Sequence, residues 1–503
     1  MLAAIAIVVV GMLLGLRQVN QFPAFTHAWA QADRYSIVVG FQNNGYDFFH
    51  PETLLYNKQF PGWWEVDSEN TVTAVDFPIH EYVVALLMAV LGTDAPWVFR
   101  GFTLLVSLIG LCFLYLMARR LTDDFIKALL VTLVAMTSPL YVFYFNNYLP
   151  SAPALALALV GLWAYVRYFQ EGRVGQWNLS VALLALSALV RTSFVVPLVA
   201  VCAFELLRIL RHESGLRHRW QAPLVAAVAI LGYMGWNAHL RADNGSLFLN
   251  LLMPPRSWED VQTVFDEIHW HWRFEYFSRL QHWIVAVACV AAVVLLSIRR
   301  RRSNRLSLGW LAGIWWLGEV CFFVAMFRQY QNHDYYFLDS FFLPVLFTFI
   351  LALRALPAVK GHLPVLVAAV LLVLLGGVMY KEAKHKVADR CWEGDRAYIC
   401  AQRFRGSDRW LNSLGVPRDA RILAFLAYPQ NGPFIQMQRK GYTVMGYDEN
   451  VVSAALSFPF DYIVMENAVY DEQLPLHPDV LRRFHREADN GTLSLFTLVP
   501  EEN

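Results

Sequence analysis

The chain has 503 residues, 57% of them hydrophobic and 16% charged, with 41 Lys and Arg against 40 Asp and Glu. Repeated apolar runs of bilayer length place it among polytopic membrane proteins. A formal net charge of +1, with no basic stripe apart from the membrane-flanking loops, excludes nucleic acid as a partner.

Residues 2–16 form the first apolar run. They lack a basic leader and a clear small-residue cleavage site, so the run reads as a retained, slightly short span rather than a removed signal. A polar segment rich in Asn, Gly, Pro and aromatics follows, about 17–97, and Asp33 and Asp76 lie in it. Within it, residues 78–92 hold a short apolar stretch. Ile79, Tyr82, Val83, Leu86, Leu87, Val90 and Leu91 recur at i, i+3, i+4 spacing and Gly92 ends the pattern. That predicts a helix lying at the interface rather than crossing it.

Ten further spans are predicted near 98–118, 125–143, 151–169, 176–190, 193–210, 221–239, 281–298, 307–327, 338–356 and 363–380. With eleven spans, the basic loops at Arg119–Arg120, Arg167–Arg173, 208–219, 299–305 and 354–360 fall on one side. The positive-inside rule makes that side cytoplasmic, with the amino terminus. The Asp33 segment, the 241–279 loop and the carboxy-terminal tail then face outward, as expected for the inner membrane of a bacterial-type envelope.

From 381 onward the composition is that of a small α/β domain. Strands are predicted at 420–425, 442–445, 460–465 and 493–498, and helices at 433–439 and 478–487. Cys391 and Cys400 lie in this outward tail, so an oxidising compartment favours a bridge between them, with two free thiols as the alternative. The expected division is a transmembrane module, 1–380, and a soluble domain, 381–503.

Transfer of a sugar to a hydroxyl needs a base for the proton, cations for the departing phosphate, and a site that excludes water. Asp33 meets the first need, and its ordinary alternative is a solvated loop acid paired with Arg34. Arg34, Arg191, Arg328 and His333 fall at the outer interface and meet the second, Arg being the better phosphate clamp through its planar fork of donors. Asp76 reads first as a cap or dipole partner of the interfacial helix. His80-Glu81 lacks the second histidine of a zinc-protease helix and reads as interfacial polar side chains. His269-x-His271 lacks a third ligand and reads as aromatic belt.

The order of these motifs resembles a known family. His27-x-Trp29-x-Gln31-x-Asp33, then Asn44-Gly-x-Asp47-Phe-Phe-x-Pro51, then Asp76-Phe-Pro78 with its short helix, resemble the GT-C membrane glycosyltransferases. Arg100, the Arg191 turn, and His333-x-Tyr335-Tyr336 with Pro344 continue the likeness, most narrowly to the protein-mannosyltransferase and aminoarabinose-transferase branch. The resemblance covers about the first 350 residues. It implies a mainly helical, polytopic GT-C fold and an inverting transfer from a polyprenyl-phosphate sugar, with Asp33 as base. Asp76 would be a second acid, Arg191 and His333 would lie near the lipid phosphate, and His27, Gln31, His80 and Tyr335 would line the sugar or acceptor side. The second outer loop, Asn146-Asn147-Tyr148-Leu149-Pro150, carries no carboxylate, so no metal or other cofactor is predicted. The acceptor, whether lipid, glycan or protein, stays open. A transporter of a lipid-linked substrate is the alternative, although its expected mid-span charges are sparse here, chiefly Glu205 and Glu319.

Overall fold

The structure, a computed structural model, describes residues 2–59, 69–214, 220–248, 251–299, 306–446, 448–472 and 478–499. The basic residues at 217, 219 and 300–305 that helped set the orientation lie outside the described residues.

Helices occupy the predicted spans. Among the described residues seven are long and apolar enough to cross a bilayer: Pro96–Thr122, Ser151–Glu171, Thr192–Leu210, Gln221–Asn244, Arg279–Ile298, Leu308–Ala325 and His362–Arg390. The other four of the eleven are shorter, and two are interrupted for a visible reason. The predicted 125–143 span breaks into Phe125–Met136 and Pro139–Tyr144. Pro139 cannot continue a helix; instead the Ser138 side chain accepts from the Tyr141 N–H and starts a new one. The predicted 338–356 span divides at Ser340 into Tyr335–Asp339 and Phe342–Ala355. The last span runs ten residues past its expected end, to Arg390.

By contact density the chain forms two compact units. One comprises Met1–Val19, Arg100–Met234 and Asn250–Asp389; the other comprises Asn20–Phe99, Gly235–Leu249 and Arg390–Asn503. The first polar segment therefore shares a unit with the tail, whereas the sequence grouped it with the spans.

The tail carries a five-stranded sheet: β1 (Ile422–Phe425), β2 (Gly441–Val444), β3 (Tyr462–Glu466), β4 (Phe484–Asp489) and β5 (Leu493–Leu498). The order is β2-β1-β3-β5-β4, with β1 parallel to both neighbours and β5 antiparallel to both of its own. The helix expected over 478–487 is corrected: only Pro478–Leu481 is helical, and β4 follows. The β2 edge does not stay open. The Gly441 N–H donates to Leu54 O at 3.0 Å and the Tyr56 N–H donates to Gly441 O at 3.1 Å. A Cβ at Gly441 would stand 1.8 Å from Ile422 O, so only glycine lets the chain through here. Lys440 pairs with Glu52 and donates to Thr71 Oγ1, stapling the same edge. Residues 52–56 thus extend the tail sheet and cover an edge that would otherwise be a template for pairing.

No disulfide joins Cys391 and Cys400, which corrects the expected bridge. Cys400 is buried, and burial pushes its thiol well above the ordinary range.

Candidate active site

Asp33 does not lie in a loop. It sits on a helix, Ala28–Asn43, twelve of whose residues are buried. His27 enters the helix in the left-handed region, at φ 57°, and Gln31 fixes the entry by donating to Ala24 O and Thr26 O at 3.0 and 2.8 Å. Gly40 lets the helix press against the backbone of Glu52, where a Cβ would lie 2.0 Å from the carbonyl oxygen. Both His27 and Gln31 therefore serve the helix start.

The reading of Asp33 as a solvated acid paired with Arg34 is also corrected. Asp33 is 3% exposed, and its Oδ1 accepts a 2.8 Å hydrogen bond from Asn431 Nδ2 of the tail. Its Oδ2 takes no hydrogen bond among the described residues. Burial lifts the Asp33 carboxyl from 3.8 to about 7, against the lowering influence of the Asn431 amide and the Arg34 charge. A carboxyl desolvated in this way is poised near neutrality, where a general base works best.

Arg34 points elsewhere. Its Nη1 donates to Glu81 Oε1 at 3.1 Å and its Nη2 to Asp76 Oδ2 at 3.2 Å, and the guanidinium lies 4.7 Å over the Phe248 ring. Asp76 is thus an ion-pair partner of Arg34, and the helix it was expected to cap, Ile79–Leu91, has no side-chain cap. That helix is as short as predicted and ends on Gly92 at φ 62°. Its faces hold a surprise: His80, Glu81, Val84, Ala85 and Met88 are buried, whereas Leu86, Val90 and Leu91 are exposed. The apolar face points out, as a helix seated against lipid requires. His80 and Glu81, read as interfacial, are interior residues. Burial, with the Arg34 charge, drives the His80 imidazole down to about 3, so it is neutral. Glu81 is pushed up by burial and pulled back by Arg34.

The remaining candidates belong to the other unit. Arg191 Nε donates to Asp339 Oδ2 at 2.6 Å, and its guanidinium lies 5.3 and 5.4 Å from the Tyr335 and Tyr336 rings. Tyr335 is buried. The His333 ring packs on both tyrosines, and its Nδ1 lies 3.2 Å from Gln329 O. Asp334 is fully buried and accepts from the Tyr144 hydroxyl at 2.7 Å. Arg328 begins the short helix Gln329–Asn332, and its N–H donates to Met253 O. Arg191, His333 and Tyr335 thus form one cluster, with Arg328 at its amino-terminal margin. Among the described residues, no group of three His, Cys, Asp or Glu side chains is arranged to hold a metal ion.

Two residues escaped the sequence reading, Asn431 and Asp339. Neither carries a local motif, because each earns its role from a partner more than a hundred positions away. Glu205 is a different case. It accepts from the Tyr165, Tyr168 and Ser214 hydroxyls and from Arg208, so its charge is structurally satisfied.

The sequence profile of the dolichyl-phosphate-mannose-protein mannosyltransferase family matches residues 76–236. The arabinofuranosyltransferase AftD from mycobacteria matches the structure with a TM-score of 0.52 at 11% identity, over 100% of this chain and 41% of that one. The chain shares the fold of that protein. The ArnT of Cupriavidus metallidurans is also similar, at 12% identity and 99% of this chain. Its apo structure gives a TM-score of 0.49 over 99% of that chain, and its complex with undecaprenyl phosphate 0.48 over 98%. No curated protein matches the sequence. The shared fold is built on long helices, seven of which, among the described residues, are long and apolar enough to cross a membrane.

Proposed function

We propose that this protein is an inverting glycosyltransferase of the GT-C type. It moves a sugar from a polyprenyl-phosphate donor to an acceptor hydroxyl at the outer face of a bacterial-type inner membrane, with Asp33 as the base. The observation that carries the reading is the Asp33 carboxyl itself: buried, raised to about 7, one oxygen held by Asn431 and the other without a hydrogen bond among the described residues. A structural acid in such a place would have both oxygens satisfied. The mannosyltransferase family profile over residues 76–236 supports the donor class, because that family is described by its dolichyl-phosphate-linked sugar.

In this mechanism Asp33 Oδ2 takes the acceptor proton as the acceptor oxygen attacks the anomeric carbon. The bond from that carbon to the phosphate oxygen breaks, and the polyprenyl phosphate leaves with the bonding pair. Attack opposite the leaving group inverts the configuration. His80 is neutral and takes no part in charge neutralisation. Arg34 is engaged by two carboxylates and orders Asp76 and Glu81. On the transmembrane unit, Arg191 offers a lipid phosphate a guanidinium bound through Nε to Asp339 and stacked on tyrosine faces.

The test is purified protein in vesicles with a labelled polyprenyl-phosphate sugar and a panel of hydroxyl acceptors. The expected result is label on an acceptor with its anomeric configuration inverted. Retained configuration contradicts the single displacement, and movement of donor between leaflets without transfer supports a transporter.

A further inference from the structure

The Asp33 carboxylate is gripped by a residue nearly 400 positions away. Asn431 is fully buried at the start of the helix Gly432–Met437 in the tail. Its Oδ1 accepts the Leu54 N–H at 3.2 Å, and its Nδ2 donates to Asp33 Oδ1 at 2.8 Å. The backbone N–H of Leu54 is a donor only, so the amide has one allowed orientation, with its NH2 toward Asp33.

We propose that Asn431 is a positioning residue for Asp33: the tail domain supplies the amide that fixes one carboxylate oxygen and leaves the other for the acceptor hydroxyl. The inference rests on Asp33 acting as the base. A lone buried carboxyl can rotate about its terminal torsion and present either oxygen, because that torsion is broad. A donor locked to a backbone amide removes the choice, and orientation of a reacting group is a large part of catalysis. The same bond favours the ionised carboxylate, offsetting part of the desolvation that raises Asp33. The other groups near Asp33 are few. Arg34 lies next to it on the helix, with Asp76, Glu81 and His80 around its guanidinium, and the Tyr428 phenol from the tail senses the Asp33 charge. Asn431 is the neutral donor among them.

The tail would then be part of the catalytic apparatus. It need not touch sugar or lipid to be required.

The experiment is the pH profile of transfer for the wild type, Asn431→Ala and Asn431→Asp in the full-length protein. Asn431→Asp keeps an oxygen for Leu54 N–H and replaces the amide donor facing Asp33 with a second acid, whose like charge also raises Asp33, so it remains informative if the alanine variant fails to fold. The wild type should lose rate on the acid side of pH 7. Both variants should move that limb upward by about one pH unit or more, a loss of roughly fivefold or more at pH 7 that recovers as pH rises. A merely structural asparagine would lower the rate at every pH and leave the limb in place, and that result overturns the positioning role. Asp33→Asn separates the two layers. Its loss of transfer together with an unmoved limb in the Asn431 variants refutes this inference alone, whereas its full retention of transfer refutes the base beneath it.

Discussion

Asp33→Asn should make the protein more stable above neutral pH. In the fold the carboxyl titrates near 7, while in the unfolded chain it titrates near 3.8. The folded state therefore holds its proton longer. Any stabilisation from the protonated form is fully present below pH 4 and lost as pH rises through 7. Moving a carboxyl from 3.8 to about 7 is worth about 4 kcal/mol. Asparagine has the same shape, carries no charge and still offers an oxygen to Asn431 Nδ2. The variant should thus match the wild type near pH 4 and exceed it by about 2–4 kcal/mol at pH 8. Thermal unfolding in detergent, followed from pH 4 to 9 for both proteins, measures the difference. A variant less stable at pH 8, or a gain of equal size at every pH, would refute the argument that ionised Asp33 is held in the fold at a cost.

Other consequences concern the neighbouring groups. Arg34 and Glu81 form a buried ion pair with partly exposed Asp76 beside it, so Arg34→Ala and Glu81→Ala should each cost about 3–5 kcal/mol. The double variant should cost clearly less than their sum, as a double-mutant cycle of unfolding free energies would reveal. His80 titrates near 3 in the fold against 6.5 unfolded, so its contribution to stability is present above pH 6.5 and lost as pH falls toward 3. In the Asp33→Asn background, where the opposing slope is absent, His80→Gln should flatten the decline between pH 6.5 and 4. Cys391 and Cys400 are not bridged, and Cys400 is buried, so mass spectrometry without reductant should find Cys391 alkylated in the native protein and Cys400 only after unfolding. A peptide pair joined by a disulfide would contradict this.

The spans were legible because bilayer-length apolar runs have few other uses, and the 79–91 helix because its length and Gly92 stop are local signals. The buried helix of Asp33 was not. In sequence Asp33 and Arg34 also fit a solvated loop pair, and their actual partners, Asp76, Glu81 and Asn431, lie far along the chain. β4 was misread for a related reason. Phe484–Asp489 is an edge strand with exposed His485, Arg486 and Glu487, preceded by a proline suited to a helix start. Charged edges protect sheets from pairing, but in sequence they mimic a solvated helix until β5 is placed beside them. The acid was found from its residue type and motif; its orientation was not, because orientation belongs to the partner.

The central claim is that Asp33 takes the acceptor proton. Sugar transfer by purified Asp33→Asn, at matched fold and donor binding, tests it most directly. Loss of transfer by about 100-fold or more is expected for removal of a positioned base. A variant that binds donor normally and transfers at the wild-type rate would contradict it.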